Sequence, residues 1–223
     1  MSGSPRQPTF FLPHGGGPCF FMDWTWGPAD TWNATKHFLE CVAASLPEPP
    51  KALLVVSGHW EEPAFTASAI PEPQLIFDYS GFPEHTYRLT WPAPGSPEMA
   101  AQAAELLTHA GLPAALSPTR GFDHGVFVPL KVAFPAAQIP TVTLSLASSL
   151  DPALHLAAGR ALAPLRDESL IRWQDAPYGR FAHPREEHLI PLMVAAGAGG
   201  EAPGKRIFTD EPMNAAISAY RFD

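Results

Sequence analysis

The sequence predicts a single α/β domain over residues 1–223, with a central mostly parallel or mixed sheet flanked by helices on both faces. Three observations lead there. The stretch Lys51–Glu62, KALLVVSGHWEE, opens with the apolar run Ala52–Val56, which reads as a strand buried on both faces. Strand-like and helix-like segments alternate from Thr9 to Arg166, the pattern of a layered α/β architecture. A chain of 223 residues buries a full core as one domain, and nothing in it demands a second.

Taken in order, Thr9–Leu12 is an apolar strand that runs into Pro13-His14-Gly15-Gly16-Gly17-Pro18. Thr31–Leu46 has Trp32, Phe38, Leu39 and Val42 near one helical face, and the prolines from Pro47 stop it. Phe65–Ala69 is a short strand, and Thr86–Trp91 a second one, at an edge because Pro92 follows. Ser96-Pro97-Glu98 starts a helix that Gly111 ends. Ala114–Ser117 is a strand, and the loop Thr119–Gly125 delivers His124 to a helix over Val126–Phe134. Thr141–Leu146 is a strand, and Asp151-Pro152 begins the next helix. Ser169–Trp173 is a weak strand, Arg185–Gly197 a helix with Pro191 in its first turns, and Arg206–Phe208 and Ala216–Phe222 are final strands.

A formal charge of −8 argues against a nucleic-acid or anionic-membrane surface, which would need clustered Lys and Arg. No apolar run reaches the ~20 residues of a membrane span. Cys19 and Cys41 make no CxxC spacing, and the N-terminus shows no signal-peptide pattern, so the expected location is cytoplasmic.

The chain has nine histidines, of two kinds. His37, His109 and His155 fall inside predicted amphipathic helices and read as helix-surface residues. His14, His59, His85, His124, His183 and His188 fall in loops or at element ends. His14 and His59 each end an apolar strand beside glycine, at the sheet edge where α/β proteins bind ligands. That pairing suggests one metal ion, because imidazole suits Fe, Zn, Cu and Ni, and three protein ligands leave open positions. On the residues alone the third ligand is His183, Glu187 or His188. Trp24, Phe77, Tyr79 and Tyr178 suit an aromatic ligand but read first as packing.

Four segments, LPHGGGP, VVSGHWE, GFDHGVFVPL and HPREEHLIPLMVAAGA, occur here in an order that resembles the class III extradiol ring-cleavage dioxygenases, most closely the 4,5-DOPA dioxygenase-like branch. The resemblance implies one divalent metal, Fe(II) when active, with zinc able to occupy the site as isolated. It implies metal ligands at His14, His59 and His188, with His124 as the catalytic and substrate-contacting histidine. His183 is a further substrate-binding candidate. The implied partners are a small aromatic catechol and O2.

The resemblance covers Thr9 to about Leu165 and about Ala182 to Phe222. Between these stretches the family pattern has another strand, a Gly-Ser-Gly turn and a His-Asn pair whose His is the usual acid/base candidate. Here LRDESL passes directly to IRWQDAPYGRFAHPREEH, so that segment is absent between about residues 166 and 180. Loss of a strand predicts exposed sheet edges, a route to a homo-oligomer. The alternatives to a dioxygenase are a catalytically impaired or non-catalytic metal-binding relative and, in another class, a zinc-dependent hydrolase. The hydrolase lacks a general-base motif such as HExxH.

Overall fold

The computed structural model describes residues 6–166 and 188–223. Four strands form the main sheet: β2 (Leu53–Glu62), β5 (Thr141–Ala147), β3 (Phe65–Ser68) and β4 (Ala114–Ser117), in the order β2-β5-β3-β4. β2 pairs parallel with β5, β3 parallel with β4, and β3 antiparallel with β5, so the sheet is mixed. Successive side chains of a strand point to opposite faces. Leu54 and Val56 of β2 accordingly join Val142 and Leu144 of β5 beneath α2 (Pro97–His109) and α4 (Pro152–Leu162). Leu53 and Val55 face the other way, toward the cluster containing Phe122, Val126 and Phe127, the last two on α3 (His124–Ala133), and Leu39 of α1 (Asn33–Glu40). Helices therefore cover both faces, as the strand–helix alternation predicts. Fully buried Phe65, Leu107 and Leu144 anchor the first of these layers, each contributing about 1.5–3 kcal/mol through removal from water.

A second sheet is antiparallel and has three strands, β1 (Thr9–Phe11), β7 (Ile217–Phe222) and β6 (Lys205–Asp210), with β7 in the middle. The strand that leads to His14 thus does not lie beside β2. It is held by the C-terminal hairpin and by α5 (Ile190–Gly199). Arg166 ties this corner together. Its guanidinium donates to the carbonyls of Gln7 (2.7 Å), Ala198 (2.8 Å) and Phe222 (3.1 Å). Phe38 of α1 stacks on Phe208 of β6 at 4.5 Å between ring centroids.

Several expectations are corrected. Thr86–Trp91 is not an edge strand, because Glu84–Arg88 forms a 3-10 turn. There the backbone and hydroxyl of Thr86 both donate to the Pro83 carbonyl (2.9 and 2.7 Å), a local alternative to a strand ladder. The first helix ends at Glu40 and gives way to a 3-10 turn over Ala43–Ser45, where the Ser45 hydroxyl bonds the Val42 carbonyl. His155 is not a surface residue. It is 0% exposed, its Nδ1 donates to the Asp151 carbonyl at 2.7 Å and its Nε2 accepts from the Ala147 amide at 3.0 Å, pinning the start of α4 to the end of β5. The apolar run of β2 is only half-buried, whereas all seven residues of β5 are buried. Among the described residues β2 is the last strand of its sheet, which accounts for the difference. The predicted strand Ser169–Trp173 lies outside the described residues.

Candidate metal centre

His59 does not follow a strand that stops at Gly58. It sits within β2, at a place where the pairing with β5 lapses. Val56 pairs with Leu144 and Glu61 with Leu146, so Ser57–Trp60 bulges out of register. A bulge re-aims side chains, and here the freed groups are rebonded locally. The His59 amide donates to Ser57 Oγ at 3.1 Å, and Ser57 Oγ donates to Asp123 at 2.8 and 2.9 Å. Arg120 completes the network by donating to the His59 carbonyl (3.3 Å) and to Asp123 Oδ2 (2.8 Å), and it also lies over the Trp60 ring. The buried carboxylate of Asp123 is thereby paired and hydrogen-bonded, as a buried charge requires.

His14 comes from the loop after β1. Its Nε2 lies 3.1 Å from His59 Nε2. His188 lies in the turn that leads into α5, two residues before the helix, and the predicted helix start at Arg185 lies outside the described residues. Imidazole nitrogens of His14, His59 and His188 lie within 4.8 Å of one another. His124 is the first residue of α3 and is 8% exposed, with its ring 4.1 Å from that of His59 and 5.1 Å from that of His14. The structure therefore brings together four of the five histidines singled out in the sequence. His183 lies outside the described residues, as does Glu187, the alternative third ligand.

The arrangement fits a metal ion. Two nitrogens bound to one ion at ~2.1 Å are roughly 3.0–3.4 Å apart for ligand angles between square and tetrahedral, and the His14–His59 separation falls in that range. His14 Nδ1 is buried with no hydrogen-bond partner among the described residues, so no bond among them turns its Nε2 away. Burial, followed by the neighbouring histidines, lowers the pKa of His14 well below its ordinary value. Burial and then His124 lower that of His59 to about 4. Both are thus neutral near pH 7, the form that binds metals. Cys19 offers no competing thiolate, because burial pushes its pKa up to about 12.

Four residues of this site carried no functional signal in the sequence: Ser57, Arg120, Asp123 and, above all, Asp78. The backbone of Gln74–Ile76 runs beside Phe122, with Phe122 N donating to the Gln74 carbonyl (2.9 Å) and Ile76 N to the Phe122 carbonyl (2.7 Å). A Cβ at Gly121 would stand 2.0 Å from the Gln74 oxygen, so only glycine permits this approach. The approach carries Asp78 to the start of α3, where its Oδ1 accepts from both the amide (2.9 Å) and Nδ1 (2.8 Å) of His124. Burial pushes the Asp78 carboxyl up, but the hydrogen bonds from the His124 side chain and backbone outweigh it and hold the pKa at about 2. Gly125 has a similar reason: a Cβ there would lie 2.5 Å from His59 Cδ2. The closely spaced glycines of GFDHG were the visible signal.

A bulge of the mixed sheet, the loop after β1 and the turn before α5 gather three imidazoles that could hold one metal ion, in a chain whose relatives are aromatic ring-opening dioxygenases. Residues 8–171 match the family described as the catalytic LigB subunit of aromatic ring-opening dioxygenase. The chain belongs to this class III extradiol dioxygenase family, on its 4,5-DOPA dioxygenase-like branch. A 4,5-DOPA dioxygenase extradiol of Portulaca grandiflora is 34% identical over 86% of the chain and 86% of its own length. A dioxygenase of Hapsidospora irregularis named tasH is 31% identical over 96% of the chain and 84% of its own length. The crystal structure of an uncharacterized protein from Escherichia coli K12 superposes with a TM-score of 0.73 at 27% identity, covering 98% of this chain and all of the other.

Proposed function

We propose that this protein is a non-haem Fe(II)-dependent extradiol dioxygenase that opens the ring of a catechol such as DOPA with O2. The observation that carries this reading is the convergence of His14, His59 and His188 to within 4.8 Å beside a fourth histidine, His124. In this reading His14, His59 and His188 hold the ion. When bound, Fe(II) would supply open positions for two adjacent catechol oxygens, charge that eases loss of their protons, and a redox capacity that zinc lacks. His124 Nδ1 is committed to Asp78, which leaves Nε2 to take a proton from a catechol hydroxyl and return it to the ring-opened product. Tyr79 stands edge-on to His124 at 5.8 Å and packs with Phe77 and Phe82, an apolar wall suited to a flat ring. His183 remains a proposed second contact to substrate. The reducing cytoplasm, where the free thiols of Cys19 and Cys41 would persist, is the proposed location.

The test is direct. The protein is loaded with Fe(II) without oxygen and given DOPA, and O2 is then admitted. A yellow ring-opened product supports the reading, whereas none from protein carrying one Fe(II) per chain overturns it. The zinc-loaded protein should give no product.

A second reading, metal binding without ring cleavage, is favoured by one observation. The apolar residues Leu53–Val56 are half-buried on a β2 edge that pairs with no other described strand. An absent neighbouring strand, the one that precedes the His-Asn pair in the family pattern, would leave such an edge. The alignment with the Hapsidospora protein runs over 275 positions against the 223 residues of this chain, which supports a segment present there and missing here. The same edge would support a homo-oligomer, and a monomer by light scattering would rule that out.

A further inference from the structure

The two ligand-capable groups of the described residues share His59: one is His14, His59 and His188, the other His59, Asp78 and His124. Asp78 is the only carboxylate in either. Its two oxygens are used differently. Oδ1 accepts from the amide and Nδ1 of His124, while Oδ2 stands 3.9 Å from His59 Nδ1. One carboxylate therefore faces the outer nitrogen of both imidazoles, the arrangement by which acids behind histidines set ring orientation and tautomer in metal sites.

We infer that Asp78 is the positioning residue of this site, holding His124 in the Nδ1–H tautomer and thereby keeping Nε2 free of its proton for the substrate. The chemistry of the pair requires it. An ionised carboxylate only accepts hydrogen bonds, so the nitrogen 2.8 Å from Asp78 Oδ1 must carry the hydrogen. In neutral imidazole the other nitrogen is then the acceptor. The bond to the His124 amide fixes the carboxylate at the helix start, where backbone N–H groups lack helical partners, so its position does not depend on the imidazole it orients. No titration is needed for this role, only an acceptor at the place where Oδ1 now stands.

The inference rests on the dioxygenase reading for its consequence, but not for its first measurement. Nitrogen-15 correlation spectra of the zinc-loaded protein, which is diamagnetic, report the tautomer of each histidine. We expect His124 as a single Nδ1–H form in the unsubstituted protein and a mixture of tautomers in Asp78→Ala. With Fe(II), Asp78→Ala should lose ~10–100-fold in kcat, with KM within about threefold and one metal still bound per chain. Asp78→Asn retains an acceptor oxygen, so it should restore the Nδ1–H form and most of kcat. An Nε2–H tautomer in the unsubstituted protein overturns the inference, as does an alanine variant that keeps both the Nδ1–H form and its kcat. If the alanine variant does not fold, the unsubstituted and asparagine spectra still decide. A normal tautomer with no ring cleavage by the unsubstituted enzyme would count against the dioxygenase reading alone.

Discussion

Ser57 Oγ lies 2.8 and 2.9 Å from the two carboxylate oxygens of Asp123, a hydrogen bond between residues 66 positions apart. It joins the bulge that carries His59 to the residue that precedes His124. The distance between these two histidines is therefore set by a buried polar network rather than by either loop alone.

Arg120 supplies the cation of that network. Arg120→Ala would leave the Asp123 carboxylate, 0% exposed, without its charge partner. Breaking a buried pair from one side costs about 3–5 kcal/mol. Urea unfolding should show a loss of that size with an unchanged slope, and an unaltered midpoint would mean that the pair contributes nothing.

Metal retention separates ligands from bystanders. His14→Ala and His59→Ala should each fail to hold stoichiometric zinc after dialysis. His124→Ala should hold it, yet lose ~10²–10⁴-fold in rate with Fe(II). Gly125→Ala should weaken the metal through its clash with His59 Cδ2. Full zinc occupancy in His59→Ala would disprove the ligand set.

Acid should destabilise the metal-free protein early. His59 has its pKa lowered from 6.5 to about 4, and those of His14 and His155 are lowered as well, with burial the largest cause in each. Between these values the unfolded chain binds more protons than the folded one, so stability rises with pH. The contribution is fully present above about pH 6.5 and is lost as pH falls toward about 4. Asp78, lowered from 3.8 to about 2, adds a second loss only below about pH 4. Thermal melts across this range should show Tm falling from the first window onward. Bound metal should dissociate there too, since protons compete for the same nitrogens. A flat Tm from pH 7 down to ~4.5 would contradict these environments.

The crossing of α4 and α5 is made by two glycines. A Cβ at Gly159 would stand 2.2 Å from the Val194 carbonyl oxygen, and one at Gly197 2.3 Å from that of Leu156. Overpacking of this kind costs about 1–3 kcal/mol or more. Because His188 stands in the turn that opens α5, Gly159→Ala should lower both Tm and zinc affinity. A change in Tm alone would show that the turn is held independently of the helix.

Much of this could be read along the chain. Strand and helix periods are local, so β5, α2, α4 and the two final strands were predicted within a few residues of their observed bounds. The helix start at Ser96 was equally legible, because its cap is a contact between neighbours, Ser96 Oγ accepting from the Met99 amide at 3.3 Å. The histidines at 14, 59 and 124 stood out because glycines flanked them, whereas His188 was one of three candidates until the family resemblance singled it out.

What tertiary structure decided was every relationship between distant segments. Periodicity cannot say that β1 belongs to a second sheet, since Phe10 alternates with its neighbours in the same way whichever strand it pairs with. His155 fitted a helical surface and was buried, because the end of β5 offered an amide that only folding brings to it. Asp78 meets His124, 46 residues away, only because two backbones approach each other at Gly121. Local sequence sets which conformations are inexpensive. Which polar groups meet is set by burial, because a charge or donor taken from water must find a partner wherever the packed chain supplies one.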